Sequence, residues 1–532
     1  MTNSIIGGLS SVINVNQSNN VFFSGSFAGF NGTINLNTGP GTPATGDEVI
    51  FDGVGTAASL TAGTVINVAT GQTCAIAVSP APTVSATIIL NGPGNTGKYG
   101  ALRIDNGNLT GNLILAGTNN WVGSDQGTLT ISGIISDSGT GNGIVLTSGN
   151  AGRDFIIFEG ANTYTGVTTI SNGSLRVASV ENPGVSGPLG TSTTNGSISF
   201  PGSSTANYGA LQYSSANNYD YSARFSAAAS QVYIVDVDGQ PVTFASPLTS
   251  AGGTFTLYDA AGGGTLTLNA ANTYSGGTTI NSGTLNASVS GAVPGNVTVN
   301  NNCTLDASAA GSIVGNVTIS NNATINVSNA AALSQYAVLT LPSTPVAGSV
   351  NLNFTGTQTV SALYFGPAPQ ATGTWGAVGS SAANTSSAFT GTGILNVAVP
   401  AFANSYWDPG TLEASPGSGG IGTWNSTQAN WWEGGSSDST WAANVATFAG
   451  SAGTVTLSAN EVAQGLAFTT TGYTITNSSS AVLTLVGAPT VSVAGGIATI
   501  GCPVCRDSRV DGKRFWHTRL KRGQHLYGRD GD

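Results

Sequence analysis

The sequence predicts an all-β protein built as a parallel β-helix, or β-solenoid, and three observations carry that expectation. Composition comes first: 76 of 532 residues are Gly and only 7% are charged, against about 25% in an ordinary globular domain. Apolar residues still make up 40%, too many for a disordered chain. The abundant polar residues, Thr, Ser, Asn and Gly, suit β-ladders joined by tight turns, because Thr is β-branched and Asn and Gly tolerate left-handed backbone. Second, no Gly-free window places apolar residues at helical spacing, and the helix formers Glu, Lys and Met are scarce. Third, the chain repeats itself at a fixed interval.

The repeats justify the elements in order. Residues 161–175, Ala-Asn-Thr-Tyr-Thr-Gly-Val-Thr-Thr-Ile-Ser-Asn-Gly-Ser-Leu, recur at 271–285 as Ala-Asn-Thr-Tyr-Ser-Gly-Gly-Thr-Thr-Ile-Asn-Ser-Gly-Thr-Leu. Each copy follows a leading strand, Gly127–Ile131 or Gly264–Leu268. A finer period comes next: Leu285, Leu305 and Ile325 occupy equivalent places at intervals of 20 residues. A coil of that length holds two or three short strands split by Gly/Asn turns, so these three side chains should stack inward at about 4.8 Å per coil. Asn286, Asp306 and Asn326 should then point outward. A β-sandwich or propeller also alternates, but hairpin folds do not demand a constant 20-residue register. One local hairpin is expected, with Val232–Val237 and Gln240–Phe244 joined by Asp238-Gly239.

The motif Asn-Thr-Tyr-(Thr/Ser)-Gly-X-Thr-Thr-Ile followed by Gly-(Ser/Thr)-Leu resembles the passenger-associated transport repeat, also called the autotransporter-associated β-strand repeat. Val167 is the main departure, at a place where Gly is usual. The resemblance implies a right-handed β-helix, a bacterial passenger exported to the surface or secreted, with no cofactor and no active site of its own. It also implies export machinery outside this chain.

The chain divides by texture. Residues 1–330 read as β-solenoid, and 331–399 as a closing β block that includes Val350–Phe354 and Leu363–Phe365. Residues 400–500 read as a Trp-rich linker or cap followed by the start of a second β-solenoid, resuming at Thr454–Leu457. Residues 501–532 form an aberrant basic tail.

Charge excludes several functions. Before residue 501 the bases are Lys98, Arg103, Arg153, Arg176 and Arg224, five against 19 acids, a net of −14. Phosphate neutralisation needs Lys and Arg in numbers, so nucleic acid is not an expected partner. The same shortage argues against turnover of pectin, alginate and other acidic glycans. No apolar run reaches the length of a transmembrane helix, and Met1–Ser11 lacks the basic start of a signal peptide. Cys74 and Cys303, the only cysteines before residue 501, give no disulfide framework.

The candidate sites are few. A polysaccharide lyase or hydrolase needs paired carboxylates, or carboxylates beside a base, and Asp236 with Asp238 is the best pair. Asp238 also reads as a turn residue, and calcium is the one metal the pair invites. Asp105, Arg153 and Asp154 show no convergence, and Arg224→Ala is expected to cost little. No His precedes residue 501, so a Ser-His-Asp arrangement has no base there. Gly-rich strings such as Gly139–Gly143 open no helix and so make no phosphate loop. The strongest binding signal is aromatic: Trp407, Trp424, Trp431, Trp432 and Trp441 are five of the eight Trp. They could stack on surface glycans or, structurally, cap the open end of a solenoid with Phe448.

The tail offers Cys502, Cys505, His517 and His525, a fair zinc inventory. A reading-frame slip explains it better. Back-translated with allowed codons and read one base later, Lys513–Asp532 gives Asn-Gly-Ser-Gly-Thr-Leu-Gly-Leu-Asn-Gly-Ala-Asn-Thr-Tyr-Thr-Gly-Gly-Thr-Val, which contains the repeat motif again. The tail is therefore expected to be a disordered product of a frameshift near residues 501–505.

Overall fold

The computed structural model describes residues 5–17, 19–38, 47–52, 60–77, 82–95, 100–148, 155–201, 209–335, 337–398, 404–409, 418–432, 438–441, 443–478, 480–494, 496–506 and 518–521. The chain forms two compact units, Met1–Val397 and Ala398–Asp532. Both are all-β; among the described residues the one helical turn is Ser222–Arg224, and no helix is long and apolar enough to cross a membrane.

Before the last block of the first unit, all described strand pairs between coils are parallel, because the chain returns to each face only after a full circuit. One face is a six-stranded sheet from Val12–Gln17 to Ile135–Ser136, and the next an eight-stranded sheet from Val21–Phe23 to Ile198–Ser199. A fourteen-stranded sheet from Thr83–Val84 to Ala368–Pro369 runs along most of the unit, joined later by a seven-stranded sheet from Pro241–Phe244 to Phe389–Gly391. Faces change partners at Val232–Asp236: Val232 N–H donates to Phe200 O, while Val235 and Asp236 pair with Leu211 and Gln212.

The strands are short because each supplies only one wall of a coil. Thr284–Ala287, Thr304–Ala307 and Thr324–Val327 share one pattern, alternately half-buried and buried. Leu266, Leu285, Leu305, Ile325 and Val350 form one continuous interior column. Each of them is fully buried, worth about 1.5–3 kcal/mol against exposure. Asn286, Asp306 and Asn326 stand outside, and Asn326 Nδ2 donates to Asp306 Oδ1 at 2.6 Å. The expected stack is present in register and direction.

The expected hairpin is not. Val232–Asp236 lies parallel to Thr254–Tyr258, whereas Pro241–Phe244 lies parallel to Thr265–Leu268 in a different sheet. Asp238 and Gly239 both have positive φ, 46° and 79°, as a tight turn requires. Here that turn makes a corner between two walls, since each strand finds its partners on neighbouring coils. Among the described residues, antiparallel strand pairs enter the first unit in its last block, where Gly373–Gly376 lies against Ile394–Val397 and Ala362–Phe365 against Ala368–Pro369; earlier antiparallel pairing is confined to single bridges such as Asn162 with Gly187.

The second unit has a seven-stranded sheet ending in Leu483–Val493 and Val504–Arg506, and a five-stranded sheet that includes Thr454–Leu457 and Ile497–Ile500. Its first strands are antiparallel: Asn404–Trp407 pairs with Ala429–Trp432, which pairs with Ser439–Thr440. Parallel rungs follow. Within the tail, Thr518–Lys521 runs antiparallel to Ile497–Ile500. The Cys502 side chain is buried in the core of the second unit; the side chains of Cys505, His517 and His525 lie outside the described residues.

Candidate functional site

The repeat motif is a set of contacts between coils. Asn162 is fully buried at a corner, accepting from Ile135 N–H at 2.8 Å and donating Nδ2 to Pro188 O at 2.8 Å. Asn272 repeats this with Leu248 N–H and Ala292 O, both at 2.7 Å. Two residues on, the Tyr164 and Tyr274 rings enter the core, each hydroxyl 2.6 Å from the Oγ1 of Thr168 or Thr278. A Cβ at Gly166 would lie 2.3 Å from the backbone carbon of Asn142, so the fifth motif position admits no side chain. Val167, the departure from the motif, is 42% exposed and meets no such limit.

The carboxylates are engaged in the same work. Asp236 accepts from Gln212 Nε2 at 2.8 Å and from the N–H groups of Asp238 and Ala260, both at 3.0 Å. Asp238 pairs with Arg176 at 3.0 Å, although burial pushes its carboxyl above the ordinary range. Asp259 accepts from Gly239 and Gly264 N–H. Among the described residues no three His, Cys, Asp or Glu side chains group as metal ligands. Arg153 and Asp154 lie outside the described residues.

Two ionic clusters overturn sequence expectations. Asp105 does converge with other charges: Arg103 reaches Asp105 at 2.5 Å and both Glu48 and Asp125 at 3.1 Å, joining three coils. Arg224 is no surface base. It is 2% exposed, bonded to Glu181 Oε1 and Ser197 Oγ at 3.1 Å and to Leu189 O at 2.6 Å, and lies over the Tyr221 ring. Burial pushes the Glu181 carboxyl up, with the Tyr221 hydroxyl and Arg224 opposing that rise. The one available signal was scarcity: a body with five bases has few to leave unused.

The Trp set is mostly interior. Trp407, Trp424 and Trp431 have no exposure and Trp441 is 7% exposed, with ring centroids 4.2–5.1 Å apart between neighbours. Phe448 packs against three of them. Trp407 Nε1 donates to Gly420 O, and Trp441 Nε1 to Val462 O. A ring with no exposed face cannot stack on a sugar, so of the five only half-buried Trp432, beside Tyr406, keeps an accessible side. Sequence reasoning passed over Glu461, which is 4% exposed near this cluster; burial pushes its carboxyl up to about 7, opposed by the Ser426 N–H.

Residues 156–177 and 260–287, the strands and corners built around Asn162 and Asn272, match the passenger-associated-transport-repeat family. This chain carries the passenger-associated transport repeat. Over 240 residues it is 32% identical to the adhesin BmaC autotransporter of Brucella suis biovar 1 (strain 1330). That alignment covers 44% of this chain and 6% of the relative, so the repeat protein spans a small part of the length of its relative. No solved structure matches it.

Proposed function

We propose that this segment is a non-catalytic part of a bacterial surface or secreted passenger, a stiff stalk that contributes to adhesion. The observation that carries the reading is the use of polar chemistry. The motif residues Asn162, Tyr164, Asn272 and Tyr274 and the ionic groups of the first unit join coil to coil, so the sequence is spent on length and rigidity. The autotransporter and adhesin character of the Brucella relative supports the surface location and the adhesive role. Export would fall to machinery outside this segment.

Protease shaving of intact bacteria, read with an antibody to this chain, tests the location: digestion before lysis is expected, and digestion only after lysis would overturn it. Beads coated with the purified chain should bind surfaces better than uncoated ones. Release of reducing ends from polysaccharides, abolished by Asp236→Asn, would overturn the non-catalytic part.

A further inference from the structure

We propose that the first unit forms a head-to-head dimer, in which a second copy of this chain adds edge to edge across the strand Val12–Gln17. One side of that strand pairs with Thr33–Thr38, and among the described residues no strand pairs with the other. Val21–Phe23 likewise ends its sheet, paired only with Val49–Phe51. Two neighbouring walls therefore finish in unpaired backbone N–H and C=O groups, the template on which a further strand adds.

The side chains match the backbone. On the outer face an asparagine ladder runs toward the edge: Asn67 Nδ2 donates to Asn35 Oδ1 and Asn35 Nδ2 to Asn14 Oδ1, both at 2.8 Å, while Asn37 Nδ2 donates to Asn16 Oδ1 at 3.2 Å. Asn14 and Asn16 end the ladder, accepting but donating to no described residue. On the inner face Ile13, Val21 and Phe23 are only partly buried, although their partners Ile34, Val49 and Phe51 have no exposure. In the same coil Ile6, Leu9, Val12 and Phe22 are 56–83% exposed. Charge is the usual guard of such an edge, yet no Asp, Glu, Lys or Arg occurs before Asp47.

What covers this edge must be uncharged, apolar inside and rich in side-chain amides outside, and a second copy of the same coil is all three. A two-fold axis through Val15 sets the strands antiparallel and keeps Ile13 and Val15 inward. It also places Asn14 of one copy opposite Asn16 of the other, where each free Nδ2 meets a side-chain carbonyl. The opposite end of the unit is plugged: Gly373–Gly376 folds back antiparallel on Ile394–Val397, and Trp375 packs against Phe365 and Phe389. A plugged end disfavours head-to-tail growth, so association should close at two.

The dimer goes beyond the passenger reading and does not depend on it: a monomer would leave surface display untouched. Sedimentation velocity of the intact chain over a concentration series tests it, and a monomer–dimer equilibrium is expected. Asn14→Asp combined with Asn16→Asp keeps the acceptors that Asn35 and Asn37 use, but removes the donors and faces carboxylates across the axis. The dissociation constant should rise by about tenfold or more. Thr318→Asp, exposed midway along the stack, should change nothing. Hydrogen exchange separates this edge from any other: the amides of Val12–Gln17 should gain protection on dimerisation while those of Thr324–Val327 hold. That readout needs no variant, so it carries the test should the double substitution disturb folding. A monomer at every concentration, growth beyond two copies, full association of the folded double variant, or unchanged exchange at Val12–Gln17 overturns the proposal.

Discussion

Replacing Asn272 by Ala probes the corner that defines the repeat. The side chain satisfies two backbone groups on different coils, Leu248 N–H before it and Ala292 O after it, each at 2.7 Å, and is only 5% exposed. Alanine removes both bonds and admits no replacement partner. Each orphaned buried group costs about 1–3 kcal/mol, so the loss should total about 2–6 kcal/mol, concentrated on the neighbouring coils. The control is Asn286→Ala, whose amide lies on the outer face and whose loss should cost a few tenths of a kcal/mol. Because a repeat array need not unfold in one step, hydrogen exchange is a better assay than a single melting curve. In Asn272→Ala the Leu248 amide should exchange faster by about two orders of magnitude or more, while amides around Asn14–Asn35 hold. Equal effects from the two variants, or an unchanged Leu248 amide, would refute the reasoning.

Leu305→Asp should cost several kcal/mol by placing a charge between Leu285 and Ile325, and thermal unfolding of the first unit checks it. Arg224→Ala should cost about 3–5 kcal/mol, because Glu181 would stay buried without its partner; a thermal shift no larger than that of an exposed control would contradict the burial. Glu461 makes the second unit pH-dependent. Its folded value of about 7 exceeds the ordinary 4.5, so the folded state holds the proton more tightly, and this stability is complete below pH 4.5 and lost as pH rises through 7. Tryptophan fluorescence should show the second unit unfolding more easily at pH 8 than at pH 5, and Glu461→Gln should flatten that difference. Resequencing the gene across codons 501–505 should reveal a shifted frame encoding another repeat motif; an intact frame, or stoichiometric zinc on Cys502, Cys505, His517 and His525, would contradict the frameshift.

What the sequence disclosed was whatever repeats at constant spacing. Leu285, Leu305 and Ile325 fall 20 residues apart, so their column follows from arithmetic. The Asp238-Gly239 corner was misread because a two-residue turn has the same local chemistry in a hairpin and between walls. Arg103 with Glu48 and Arg224 with Glu181 were hidden for another reason: they are 55 and 43 residues apart, separated by excursions of unequal length that no period predicts. The Trp cluster was visible as a cluster, but which ring faces in depends on the strand alternation, and that was settled only by register.

Stacking in register also sets how the first unit would yield to force. Between Thr284 and Val327 a coil is 20 residues long and touches only the coils on either side. Peeled from one end, such a coil frees about 65–70 Å of contour while giving up only about 5 Å of stack height. A tethered stalk of this construction would lengthen more than tenfold locally, one coil at a time, absorbing a pull in successive small ruptures before its attachment gives way.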